Sequence, residues 1–196
     1  MPGDYPMIIS VCLGLALTAC CGFRIFIPLL GTSLAIHFGW ITVPADMQWL
    51  GESIAIVCFS TAALIEIVAY YVPFLDNILD FAAAPLSIIA GTLLMFSLLP
   101  VGANKGLLAW GIALVAGGAP SGTIQIGSGL VRLFSTKATV GTGNSLVVSA
   151  ENTAAILGTI LSFIIPVIMT ILLVLLVLWI AFRTFRRLFR PNQRVF

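Results

Sequence analysis

Four polar residues stand inside stretches that are otherwise apolar: Arg24, Glu66, Glu151 and Asn152. A guanidinium does not shed its proton, so a buried arginine needs a carboxylate, carbonyls or an anionic ligand. Arg24 lies in Cys21-Gly22-Phe23-Arg24-Ile25-Phe26-Ile27-Pro28, beside a Gly/Pro break where freed helix amides would also favour negative charge. Two roles follow for it: contact with an anionic ligand, or a structural pair with Glu66 or Glu151. Glu66 shares a helical face with Ala62 and Tyr70 at four-residue spacing. Tyr70 can then hydrogen-bond the carboxylate or extend a polar path. A buried carboxyl that exchanges a proton is what a proton-coupled carrier needs; pairing with Arg24 is the equal alternative. Glu151 and Asn152 follow Gly141-Thr142-Gly143-Asn144, where Asn144 is placed to N-cap a helix. The Glu151 face of that helix continues through Ala155, Gly158 and Ser162, small residues that permit close packing.

A second acidic group, Asp76, Asn77 and Asp80, follows Pro73. If Pro73 opens a helix, Asp76 and Asp80 stand one turn apart, able to hold a cation or a proton, or to act in gating. The plain alternative is that acidic residues complement a helix N-terminus. The group slightly resembles the Asp-rich motif with which membrane prenyltransferases hold magnesium diphosphate. Those enzymes are larger and need a second such motif, which this chain lacks. Hydrolase chemistry has no support, because there is no nucleophile elbow, no phosphate-binding loop, and one isolated histidine, His37. The four cysteines (Cys12, Cys20, Cys21 and Cys58) fit no zinc or haem spacing, and all fall in apolar runs. Neither a disulfide framework nor a metal or other cofactor is expected.

The elements that carry these groups are membrane helices. Of 196 residues, 60% are hydrophobic and 8% charged, more apolar surface than a soluble core of this size can hide. Mean hydropathy is +1.16. A polytopic all-α membrane protein of about six hydrophobic blocks follows, as one transmembrane domain over 1–196. The blocks run over about 7–38, 50–72, 81–99, 105–134, 144–165 and 166–185. The first and fourth are overlong, and each carries Gly and Pro near its middle, which predicts broken or re-entrant segments. Gly14-Leu15-Ala16-Leu17-Thr18-Ala19 matches Gly111-Ile112-Ala113-Leu114-Val115-Ala116, and Thr61–Ile65 matches Thr153–Leu157. These matches predict an inverted repeat of half-repeats 7–99 and 105–185, with a site near the midplane. Leu17-Thr18-Ala19-Cys20 resembles a lipoprotein cleavage box, but Met1–Met7 has no basic residue, so an uncleaved first helix is expected.

The net charge of +2 hides segregation, because Arg183, Arg186, Arg187, Arg190 and Arg194 crowd a basic tail over 183–196. With six passes the tail, Arg132 and Lys137 share one side and Lys105 the other, which predicts cytoplasmic N- and C-termini. The tail can touch anionic headgroups; a nucleic-acid role is not expected, since the preceding helix already explains it.

Gly14-Leu15-Ala16, Cys21-Gly22-Phe23-Arg24, Pro28-Leu29-Leu30, Glu66, Ala69-Tyr70-Tyr71-Val72-Pro73, Asp76-Asn77, Asp80, Pro85-Leu86 and Ala90-Gly91-Thr92 together resemble a bacterial membrane family. So do Ser135-Thr136, Gly143-Asn144 and Glu151-Asn152. That family is the domain of unknown function numbered 4126. The resemblance spans nearly the whole chain and implies a small polytopic protein of the bacterial inner membrane, without an established activity. Where the family pattern has a proline after the Gly-Asn pair, this chain has Ser145. The Gly-Phe-Arg…Pro element is also similar to re-entrant hairpins of proteins that move polyprenyl-phosphate carriers, a likeness of few residues.

The expected function is transport or channel-like carriage of a small anionic solute or lipid headgroup, with proton coupling as an option, and not enzymatic. Arg24, Glu66, Tyr70, Glu151 and Asn152 would bind substrate, and Asp76, Asn77 and Asp80 would gate or hold a cation. The alternatives are a non-transporting scaffold or assembly subunit with structural buried ion pairs, or a membrane enzyme acting on isoprenoid or phospholipid substrates. The partners implied are the lipid bilayer and the anionic cargo, with a homo-oligomer as a further option.

Overall fold

The computed structural model describes residues 7–99, 106–139 and 143–188, without the side chains of 73–78, 80, 136–139, 184, 185, 187 and 188. Every regular element among them is helical. Four segments are long and apolar enough to cross a membrane: Phe81–Leu98, Leu107–Ser135, Asn144–Ile164 and Pro166–Arg183. A short 3-10 helix, Ala45–Gly51, and the helix Ser53–Ala69 meet at 57° and form a fifth candidate span. Large apolar side chains such as Ile54, Leu107 and Leu146 face outward, as they do where the solvent is lipid. The chain is a multi-pass integral membrane protein.

The first block is two helices, α1 (Met7–Cys20) and α2 (Phe26–His37). At 14 and 12 residues they extend roughly 21 and 18 Å, each short of a hydrocarbon core of about 30 Å. The break falls where the composition allows it. Gly22 comes so close to the sixth helix that a Cβ would lie 2.4 Å from Ile124 Cβ. Pro28 occupies the first turn of α2, where its missing N–H has no intrahelical acceptor to lose.

The remaining helices are α3 (Ser53–Ala69), α4 (Pro73–Leu98), α5 (Leu107–Ala113), α6 (Ala119–Thr139), α7 (Asn144–Ile164) and α8 (Pro166–Leu188). Both legs of the first block touch the same turn of α7. A Cβ on Gly158 would meet Cys20 Sγ at 2.9 Å, and one on Gly31 would meet Thr159 Cγ2 at 2.6 Å. The turn between the legs reaches instead to Val148 and Asn152, about 10 Å nearer the start of α7. The chain therefore doubles back, and α1 and α2 straddle α7 as a hairpin.

The fourth block departs from the expected break. Leu107–Ser135 is one continuous run, and its irregularity is a single π turn at Leu114–Gly118 in which the Ala119 amide bonds to Leu114 O. That shift of register absorbs Pro120, which has no amide to offer. Gly117 fits against Gly91 of α4 so closely that a Cβ would lie 2.3 Å from Gly91 O. The two halves thus differ at the point where their sequences match best. The other blocks correspond to single helices, although α4 already begins at Pro73 rather than near Phe81 and carries Pro85 inside it.

We expect Gly22→Ala to lower the stability of the detergent-purified chain by about 1–3 kcal/mol, the usual range for overpacking. Gly111→Ala, where a Cβ meets nothing within 4 Å, should cost nothing. Paired thermal unfolding curves check both.

Candidate functional site

The tip of the hairpin is a tight turn. The amides of Gly22 and Phe23 bond to Ala19 O and Cys20 O at 3.0 Å, and the Arg24 amide reaches Cys20 O at 3.3 Å. The chain then starts α2 with Ile25 at the N-cap, a residue without a side-chain acceptor. The missing cap comes from another helix. Glu66 of α3 accepts the Ile25 amide at 2.8 Å on Oε1 and the Phe26 amide at 3.0 Å on Oε2. A carboxylate at a helix N-terminus satisfies orphan donors and complements the positive end of the dipole.

Arg24 points from the same turn to α7 and is 0% exposed. Its Nε donates to Asn152 Oδ1 at 2.5 Å, and its Nη1 to Glu151 Oε2 at 3.0 Å and to Phe23 O at 2.9 Å. A second guanidinium joins from α6. Arg132, 2% exposed, donates through Nη1 to Glu151 Oε2 at 2.8 Å. Ser128, one turn earlier on α6, donates to Glu151 Oε1. The ring of Tyr70, just past the end of α3, lies 4.0 Å from Arg24 Cζ and 4.5 Å from Arg132 Cζ, so both cations meet one aromatic quadrupole.

Among the described residues, two guanidinium groups and two carboxylates gather in this cluster. It ties the hairpin tip to α3, α6 and α7. Glu151 is the eighth residue of α7, so the cluster lies roughly 10 Å in from the start of a helix about 30 Å long. Its nearest approach to the surface is Tyr71, 48% exposed, whose hydroxyl is 3.4 Å from Asn152 Nδ2 and 3.0 Å from Ser149 Oγ. Breaking a buried pair of this kind by removing one partner costs about 3–5 kcal/mol.

Arg24, Glu66, Tyr70, Glu151 and Asn152 are therefore brought together. Of the two carboxylates offered to Arg24, Glu151 is its partner, while Glu66 serves backbone amides. Asn144 is the first residue of α7 and Gly143 takes the N-cap position, without a side-chain cap bond. Asp76, Asn77 and Asp80 lie on the first two turns of α4, which Pro73 does open, but their side chains lie outside the described residues. So do Lys105, Arg190 and Arg194, and the side chains of Lys137 and Arg187. Arg132 is the site residue that its place beside a loop conceals. The available signal is a polar stripe, Ser121, Gln125, Ser128 and Arg132, at the spacing of one helix face, and all four are buried. Among the described residues no group of three or more His, Cys, Asp or Glu gathers to hold a metal.

Residues 11–187 match the family model described as Domain of unknown function (DUF4126). The chain belongs to this family. No curated protein and no solved structure matches it. What the family contributes is kinship over nearly the whole chain, and the chemistry has to come from the cluster.

Glu66→Ala leaves two buried amides without an acceptor, at about 1–3 kcal/mol each. Glu66→Gln keeps one oxygen and should lose less. Because Arg24 and Glu66 hold different groups, joining Arg24→Met to Glu66→Leu should destabilise at least as much as the worse single change. Denaturant unfolding of the five variants, the two single changes of that pair included, against the parent checks this order.

Proposed function

We propose that this protein moves a small anionic solute or an anionic lipid headgroup across the bacterial inner membrane, with both termini on the cytoplasmic side, and that it catalyses no chemical conversion. The observation that carries the reading is the pair of buried guanidinium groups, Arg24 and Arg132, meeting at one carboxylate at the tip of a hairpin too short to cross. Ionisable groups are costly at membrane depth and are retained where they serve substrates, ions or protons. Two arginines offer planar donor forks suited to oxyanions, and the Tyr70 ring beneath them lets that charge sit away from water. Asn152 and Tyr71 join the cluster to a partly exposed edge, which gives cargo a way in. The first and fourth blocks would meet from two related halves, as in carriers built from repeats.

One observation favours a second reading. Both oxygens of Glu66 and both of Glu151 already have donors, as in a scaffold whose charges only lock helices together. The two readings part on a charge-balanced variant. Arg132→Gln with Glu151→Gln removes one charge of each sign, and the amide at position 151 keeps an oxygen for Arg24. The transport reading expects a monodisperse, folded protein whose anion flux in proteoliposomes falls by at least about tenfold, a transition-state loss of about 1.4 kcal/mol. Unchanged flux in that variant would refute it, and a parent protein that carries no anion at all would leave the scaffold.

A further inference from the structure

We propose that the edge formed by Tyr71, Ser149 and Asn152 holds the phosphate of an anionic phospholipid, with an acyl chain lying along the exposed face of α7. The proposal rests on the transport reading and names which of its two cargoes this surface fits.

The hydrogen bonds at this edge run in one direction. Ser149 spends its hydroxyl hydrogen on Ser145 O at 2.8 Å, so its oxygen accepts from the Tyr71 hydroxyl at 3.0 Å. The Tyr71 oxygen in turn accepts from Asn152 Nδ2, while Asn152 Oδ1 accepts from Arg24 Nε. Arg24 therefore fixes which way the amide points, with its oxygen inward to the cation and its NH2 outward to the edge. That NH2 has two hydrogens, and the contact with Tyr71, long at 3.4 Å, uses one of them. The hydroxyls of Tyr71 and Ser149 turn freely about their C–O bonds. With the amide they can offer three donors to one oxyanion, and a phosphate can accept them all.

What surrounds the edge belongs to the lipid-facing surface. Val68 and Val72 lie on either side of Tyr71, and Leu146 is one turn before Ser149; all three are exposed. The outer face of α7 changes character along its length. Ser145, Ser149 and Thr153 follow one another on it at four-residue spacing, and Leu157, Leu161 and Ile164 continue the line, every one of them exposed. From Thr153 to Ile164 the helix rises about 16 Å, close to half of a hydrocarbon core of about 30 Å. A hydroxyl-bearing half followed by an apolar half suits one phospholipid, with its headgroup beside Tyr71 and a chain beside the leucines. Hydroxyls on a membrane helix are ordinarily satisfied by its own carbonyls, as those of Ser149 and Thr153 are. Tyr71 and Asn152 set this edge apart, because they tie it to a buried cation.

The test is thermal unfolding of the full chain in neutral detergent against graded dioctanoyl phosphatidylglycerol. Dioctanoylglycerol supplies the chains without the phosphate, and glycerophosphoglycerol supplies the headgroup without the chains. The intact lipid should raise the unfolding temperature, and neither fragment should do so at the same concentrations. Tyr71→Phe removes one hydroxyl and no charge. It should raise the lipid concentration needed for a given shift about tenfold, as the loss of one hydrogen bond to a charged group does. Ser149→Ala should act in the same direction. An equal response to either fragment, or an unchanged lipid response in both variants, would overturn the site. So would a response that survives Tyr71→Phe and disappears in Arg183→Gln with Arg186→Gln, since the headgroup would then belong to the basic tail. Transport is scored separately, by exchange of fluorescent phosphatidylglycerol between the leaflets of proteoliposomes. Binding as expected, with neither lipid exchange nor flux of a soluble anion, would remove the transport reading and leave the site. Exchange undiminished in Tyr71→Phe would remove the site and leave transport.

Discussion

A helix that begins inside an apolar interior must find acceptors for its first amides within the protein, and this constraint organises the whole assembly. At the hairpin tip the local sequence supplies no capping side chain for the Ile25 and Phe26 amides. Glu66 is therefore held in place by backbone geometry, across a distance in sequence of some forty residues. Once it is committed there, Arg24 has to look elsewhere for a counter-charge. It turns to α7 and finds Glu151, where Arg132 is already engaged. Tyr70 closes the arrangement because α3, whose Glu66 caps the tip, ends beside both guanidinium groups.

The small residues make this possible by letting backbones approach. Gly22 allows the tip to seat against Ile124 and Ser121, and Gly158 and Gly31 let α7 lie between the two legs. On the far side of α1 the Gly91–Gly117 contact brings α4 and the π turn together. Close packing of this type is the main source of association where lipid removes the hydrophobic driving force. The charged cluster and the glycine seams are thus one design: the seams set the distances at which the ions can meet.

Much of this was legible in the residues, and what was not has physical reasons. Arg24, Glu66, Glu151 and Asn152 stood out because an ionisable or amide group is conspicuous among apolar neighbours. Past the first block the candidate spans lie close to the hydropathy limits, since length and composition govern insertion, although α4 itself already starts at Pro73. Partner choice was harder. Whether Arg24 meets Glu66 or Glu151 depends on which acid the backbone claims first, and periodicity carries no trace of that. Arg132 looked like loop punctuation because it neighbours Lys137, although its face with Ser121, Gln125 and Ser128 is polar and buried. The fourth block carried the same Gly/Pro signal as the first, yet one extra residue in a π turn absorbed its proline without a reversal.

The partners of the hairpin tip also set an order of events. Arg24 meets Asn152 and Glu151, residues 128 and 127 positions later in the chain. At about 5–20 residues per second of synthesis, roughly 6–25 seconds pass between the appearance of the arginine and that of its counter-charge. Through that interval the two short legs have no α7 to straddle, and Arg24 lacks the carboxylate of Glu151. The ribosome therefore delivers the hairpin as an unfinished piece, and its docking is a late, post-insertion step for which α7 serves as the mould.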